Sequence, residues 1–91
     1  MMSRYKIHIS RQAQRFMVSL NSKTRSRIIS ELSDFENFPD LSDHHDLIKL
    51  KGRRDAYRLR FGDIRAILEI SKESKIIYIE KIERRGGVYK G

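Results

Sequence analysis

The chain lacks cysteine and tryptophan altogether and has a single proline, Pro39, in 91 residues. Without cysteine there is no disulfide scaffold and no thiol chemistry. No apolar run approaches the ~18 residues of a membrane span, and the opening MMSRYKIHIS has no apolar centre of the kind a signal peptide carries. The chain is therefore expected to be soluble and cytoplasmic. Negative charge is also scarce. Lys and Arg number 20 against 12 for Asp and Glu, a formal net charge of +8. That balance favours nucleic acid or an acidic protein as partner. At this length one domain spanning residues 1–91 is expected, with a core of modest size.

What is present concentrates between Leu47 and Ile70, LIKLKGRRDAYRLRFGDIRAILEI. Tyr57, Leu59 and Phe61 alternate with Arg58 and Arg60, the period of a strand with one buried face. Gly62-Asp63 then supplies a two-residue hairpin turn, with glycine at the position a type II′ turn needs. This loop pairs Phe61 with Ile64 and sets Arg60 opposite Arg65. One face thus collects Tyr57, Leu59, Phe61, Ile64, Ala66, Leu68 and Ile70, and the other collects the arginines. Taking Gly52-Arg53-Arg54-Asp55 as a four-residue loop pairs Lys51 with Ala56 and puts Lys49 opposite Arg58. On that register Lys49 and Lys51 join the arginine face, while Ile48 and Leu50 join the core. Directly opposed like charges cost up to about 1 kcal/mol per pair. A face of five cations with few internal partners therefore points to an external polyanion such as a nucleic-acid backbone.

The flanking segments frame this unit. Residues 4–9 alternate as a first strand, with His8 on the solvated side. Ser10 is a candidate N-cap for a helix over residues 11–20, whose stripe is Ala13, Phe16, Met17 and Leu20. Asn21-Ser22 breaks it, and a second helix over residues 23–37 carries Ile28, Ile29, Leu32 and Phe35. That helix is basic early (Lys23, Arg25, Arg27) and acidic late (Glu31, Asp34, Glu36), the reverse of what its dipole favours. Residues 37–46 read as a loop. The pair His44-His45, with Asp43 and Asp46, has no fixed framework for a metal, and no cofactor is expected. Residues 75–82 form a fifth strand with apolar side chains on both faces, which predicts an interior position in the sheet or one partly covered by the chain's tail.

Strand, two helices, then an antiparallel meander is a pattern similar to the RelE/ParE superfamily of toxin–antitoxin toxins, and closest to its RelE-like branch. The resemblance rests on Leu50-Lys51-Gly52, Tyr57-Arg58-Leu59-Arg60, Gly62-Asp63-Ile64-Arg65 and Val88-Tyr89, and spans essentially the whole chain. It implies an α+β fold: an N-terminal strand, an antiparallel helical hairpin and a β-meander. It also implies a ribosome-dependent mRNA endonuclease held by a cognate antitoxin, with ribosome and mRNA as its other partners. On that resemblance the catalytic candidates are Arg58, Arg60, Arg65, Arg85 (with Arg84 the alternative match) and Tyr89. Lys49, Lys51, Arg53, Arg54 and Arg84 are the candidate RNA-binding cations. Arg58 and Arg60 stand where lysines often sit. Ile64 replaces an aromatic residue, and Ile82-Glu83 replaces a glycine and a basic residue.

The residue chemistry fits cleavage by the RNA's own 2′-hydroxyl. That reaction needs a base, cations on the phosphorane-like transition state, and an acid for the leaving 5′ oxygen. Arginines suit the second task but are poor bases. Lys49 or Lys51 could take the proton if a pKa were lowered, and Glu83 could neutralise a needed cation. Two other functions stay open at this point: a ParE-like inhibitor of DNA gyrase that cuts nothing, and a degenerate module that only binds antitoxin.

Overall fold

A computed structural model describes residues 4–38 and 46–84. The elements are β1 (Lys6–Ile9), α1 (Arg11–Val18), α2 (Ser22–Asp34), a 3-10 turn (Phe35–Asn37), β2 (Leu47–Lys49), β3 (Ala56–Phe61), β4 (Ile64–Ser71) and β5 (Ile76–Arg84). The strands form one sheet in the order β1-β5-β4-β3-β2. β1 runs parallel to β5, and the remaining pairs are antiparallel. β5 is interior, as its two apolar faces predict. No helix among the described residues is long and apolar enough to cross a membrane.

Both helices start on side-chain caps. Ser10 Oγ accepts from Ala13 N at 3.1 Å, and Asn21 Oδ1 accepts from Thr24 N at 2.9 Å, each satisfying an amide that lacks an intrahelical partner. Ala13, Met17, Leu20, Ile28, Leu32 and Phe35 bury against Leu59, Phe61, Ala66 and Leu68 on one face of the sheet, with Phe16 half-buried at the margin. Ile29, expected in the stripe, is exposed. Phe38 adds a core ring that periodicity does not anticipate, edge-on to Tyr5 at 5.4 Å. One of the early basic residues of α2 has a local partner. Arg25, in its first turn, donates through Nη1 to Leu20 O at 2.9 Å and lies 3.4 Å from Met17 O, so it complements the carbonyl end of α1.

The β3–β4 hairpin has the expected register, with Phe61 opposite Ile64 and Arg60 opposite Arg65. Gly62 has φ +65°, while Asp63 does not have positive φ, as a type II′ turn requires. The β2–β3 register differs from expectation by one residue. Leu47 pairs with Leu59, Ile48 with Arg58 and Lys49 with Tyr57, and Leu50 N donates to Ala56 O. The turn therefore holds residues 51–55, not 52–55. A slip of one exchanges the faces of a strand. Leu47 enters the core and Ile48 stands 46% exposed beside Arg58. Lys49 leaves the arginine face, and Lys51 lies in the turn.

A second irregularity sits in β5. Leu68 pairs with Ile79 but Ile67 pairs with Lys81, so Glu80 is an extra residue, a bulge. Bulges re-aim the side chains that follow them. Ile77, Ile79 and Ile82 are all fully buried under the helices, although strict alternation would put Ile82 on the opposite side from the other two. Lys81 and Glu83 are thereby delivered to the open face.

Candidate functional site

On the open face the side chains lie in rows across the strands. One row runs Arg60 (β3), Arg65 (β4), Glu83 (β5), and Asp46 extends it on the β2 side, where its carbonyl accepts from Arg60 N at 3.2 Å. The next row runs Ile48, Arg58, Ile67, Lys81. The first row carries a carboxylate at each end. Asp46 Oδ1 accepts from Arg60 Nη2 at 3.2 Å, and Glu83 Oε2 accepts from Arg65 Nε at 3.2 Å. Lys81 Nζ lies 3.7 Å from Glu83 Oε1. The opposed Arg60 and Arg65 are thus each compensated from outside the pair. The expectation of cations with few internal partners is corrected here: only Arg58, of the three sheet arginines, lacks a carboxylate partner among the described residues.

Arg58, Arg60 and Arg65 nevertheless converge. With Gly62, Asp63 and Ile64 they line a concave space of about 260 Å³ at the hairpin end of the sheet. Arg60 and Arg65 each engage a carboxylate through one nitrogen, and a guanidinium has five N–H donors. Donors therefore remain for an anion in the concavity, and arginine meets phosphate in a planar, two-pronged fashion.

The remaining candidates disperse. Arg53 reaches from the β2–β3 turn to Glu80 at the bulge, with contacts of 3.1 and 2.5 Å. That hydrogen bond holds the Glu80 carboxyl below its ordinary pKa and raises that of Arg53. Arg54 is exposed in the same turn. Lys49 and Lys51 are off the arginine face for the register reason above. Arg84 lies opposite Ile64 in register, on the helix-side parity, and pairs with Asp63 at 3.3 Å. The bulge is what sends it there. Arg85 and Tyr89 lie outside the described residues, as do Asp43, His44 and His45.

Sequence reasoning missed Asp46 as a partner of Arg60 and, though it expected that Glu83 could neutralise a needed cation, did not identify that cation as Arg65. A signal for the second existed. The spacing of Ile77, Ile79 and Ile82 breaks period two, and reading that break as a bulge turns Glu83 toward Arg65.

No protein-family model matches the chain. It aligns with a chain of the RelE–RelB complex from Pyrococcus horikoshii at a TM-score of 0.78 and 31% identity, covering 93% of this chain and 98% of that one. The chain belongs to the RelE toxin family. A candidate RelE1 toxin of Methanocaldococcus jannaschii is 28% identical, with coverage of 80% of this chain and 98% of the relative. The isolated RelE toxin of Escherichia coli matches at a TM-score of 0.74 and 17% identity, covering 89% of this chain and 84% of that one. At that identity the likeness concerns the RelE fold alone.

Proposed function

We propose that this RelE-family chain is the toxin of a type II toxin–antitoxin pair and acts as a ribosome-dependent mRNA endonuclease, cutting through the RNA 2′-hydroxyl and so arresting translation. The observation that carries this reading is the convergence of Arg58, Arg60 and Arg65 on one concavity of the open sheet face. Three permanent cations around a concavity with room for a phosphodiester suit a pentacoordinate phosphorane better than a gyrase contact, because they stabilise charge that develops in the transition state. Arg85 and Tyr89 are assigned to the same reaction, Tyr89 to stack on a base or move a proton. The reaction as written uses the RNA's own hydroxyl as nucleophile and needs no cofactor. An antitoxin partner is proposed because the Pyrococcus relative is described in complex with RelB.

The test is to add purified protein to a translating ribosome extract and map mRNA ends. Codon-resolved cuts that vanish when the nucleotide 5′ of the cut is 2′-deoxy are the expected result. Intact mRNA with inhibited DNA supercoiling would replace this reading with the gyrase one, and neither effect would leave only an antitoxin-binding module.

A further inference from the structure

Attack by a 2′-hydroxyl requires a group to take its proton, and the three arginines that line the concavity cannot, since a guanidinium stays protonated to above about pH 12. We propose that Glu83 is the general base of this reaction, an inference that rests on the ribonuclease reading above. Its carboxylate does not itself line the concavity but is held directly against Arg65, which does. Oε2 accepts from Arg65 Nε at 3.2 Å, Oε1 faces Lys81 Nζ at 3.7 Å, and the Glu83 and Arg65 side chains are only 30% and 34% exposed. Arg65 lines the concavity on one side and grips the carboxylate on the other. One guanidinium can thus hold a phosphate through its terminal nitrogens while fixing a base beside it.

Two other carboxylates border the site and suit the role less. Asp63 is 66% exposed and engaged by Arg84 on the hairpin tip. Asp46, itself only 24% exposed, lies at the outer edge of the sheet and is paired with Arg60, which at 60% exposed holds it less firmly than Arg65 holds Glu83. The charged groups facing Glu83 are Arg65 from β4 and Lys81 from its own strand, with Arg60 one strand beyond.

The step balances simply. The 2′-O–H proton passes to a Glu83 carboxylate oxygen as the 2′-O–P bond forms. The P–O5′ bond breaks, and the 5′ oxygen takes a proton from solvent water. The products are a 2′,3′-cyclic phosphate and a 5′-hydroxyl, and Glu83 returns its proton to solvent.

The test is single-turnover cleavage of a short mRNA on programmed ribosomes at neutral pH, comparing the parent with Glu83→Gln and Glu83→Asp, and with Asp46→Asn and Asp63→Asn as controls. Binding of the same mRNA carrying a 2′-deoxy nucleotide at the cut site is measured alongside. Glu83→Gln is expected to lower the rate about 10²–10⁴-fold. Binding of the 2′-deoxy RNA should be unchanged or tighter, since a negative charge beside the phosphate is gone. Glu83→Asp should recover part of the rate. If the parent cleaves and Glu83→Gln keeps pace or runs faster, Glu83 is only a counter-ion and this inference alone is overturned. The same holds if Asp46→Asn or Asp63→Asn brings that loss of rate instead. A parent that cleaves nothing overturns the ribonuclease reading and the base with it.

Discussion

At the scale of single residues, the open face is an alternation of charge that one strand alone cannot reveal. Arg60 opposite Arg65 was legible from Gly62-Asp63, because a two-residue turn fixes register. Their carboxylate partners were not, because Asp46 and Glu83 come from 14 and 18 residues away and depend on a register and a bulge outside that hairpin. The β2–β3 register was misread for a related reason. Leu47, Ile48 and Leu50 offer apolar side chains to both parities, so the pattern alone does not choose a loop of four residues or five. The Arg53–Glu80 pair yields a prediction here. A carboxyl held below its ordinary pKa stabilises the fold above the unfolded value, near 4.5, and that stability is lost as the pH falls through the lower folded value. Thermal melts at neutral and acid pH should therefore show a smaller acid loss for Arg53→Ala than for the parent. Equal losses would mean the pair contributes nothing to folding.

At the scale of elements, α1 does more than cover the sheet. β1 ends at Ile9, so beyond Ile79 the edge of β5 has no strand beside it on that side. The N-terminal turn of α1 fills the gap. Ser10 Oγ donates to Glu80 O at 2.8 Å, and the Gln12 amide both donates to Ile82 O and accepts from Ile82 N, each at 3.0 Å. A side-chain amide thus stands in for a strand, and it does so one residue before Glu83. Nothing in the sequence marks Gln12, because its role depends on where another strand stops. Gln12→Ala should cost about 1 kcal/mol and speed hydrogen exchange at the Ile82 amide. Unchanged exchange there would show that the bridge does not hold β5. In the core, Leu59→Ala removes a fully buried side chain and should cost roughly 2–5 kcal/mol, readable in a denaturant titration.

At the scale of the whole molecule, fold class and the Arg58, Arg60, Arg65 convergence followed from alternation and one tight turn. The pairing of β1 did not, because a parallel partner leaves no local trace in the chain. That pairing has a consequence for the protein's own synthesis. Lys6 meets Ile76, Ile9 meets Ile79, and Ser10 donates to Ile79 O and Glu80 O, so the first strand waits for a partner made about 70 residues later. Contacts of such separation form late, after the entropy of closing the chain has been met. While β5 is still inside the ribosomal tunnel, β1 has no neighbour, β4 has one bare edge, and Glu83 has not arrived beside Arg65. Nascent chains arrested with Ser74 at the tunnel exit should accordingly be cut by protease throughout, whereas chains extruded past Arg84 should resist. In this strand order the sheet, and the Glu83–Arg65 pair on its open face, is completed only once the last strand has left the tunnel.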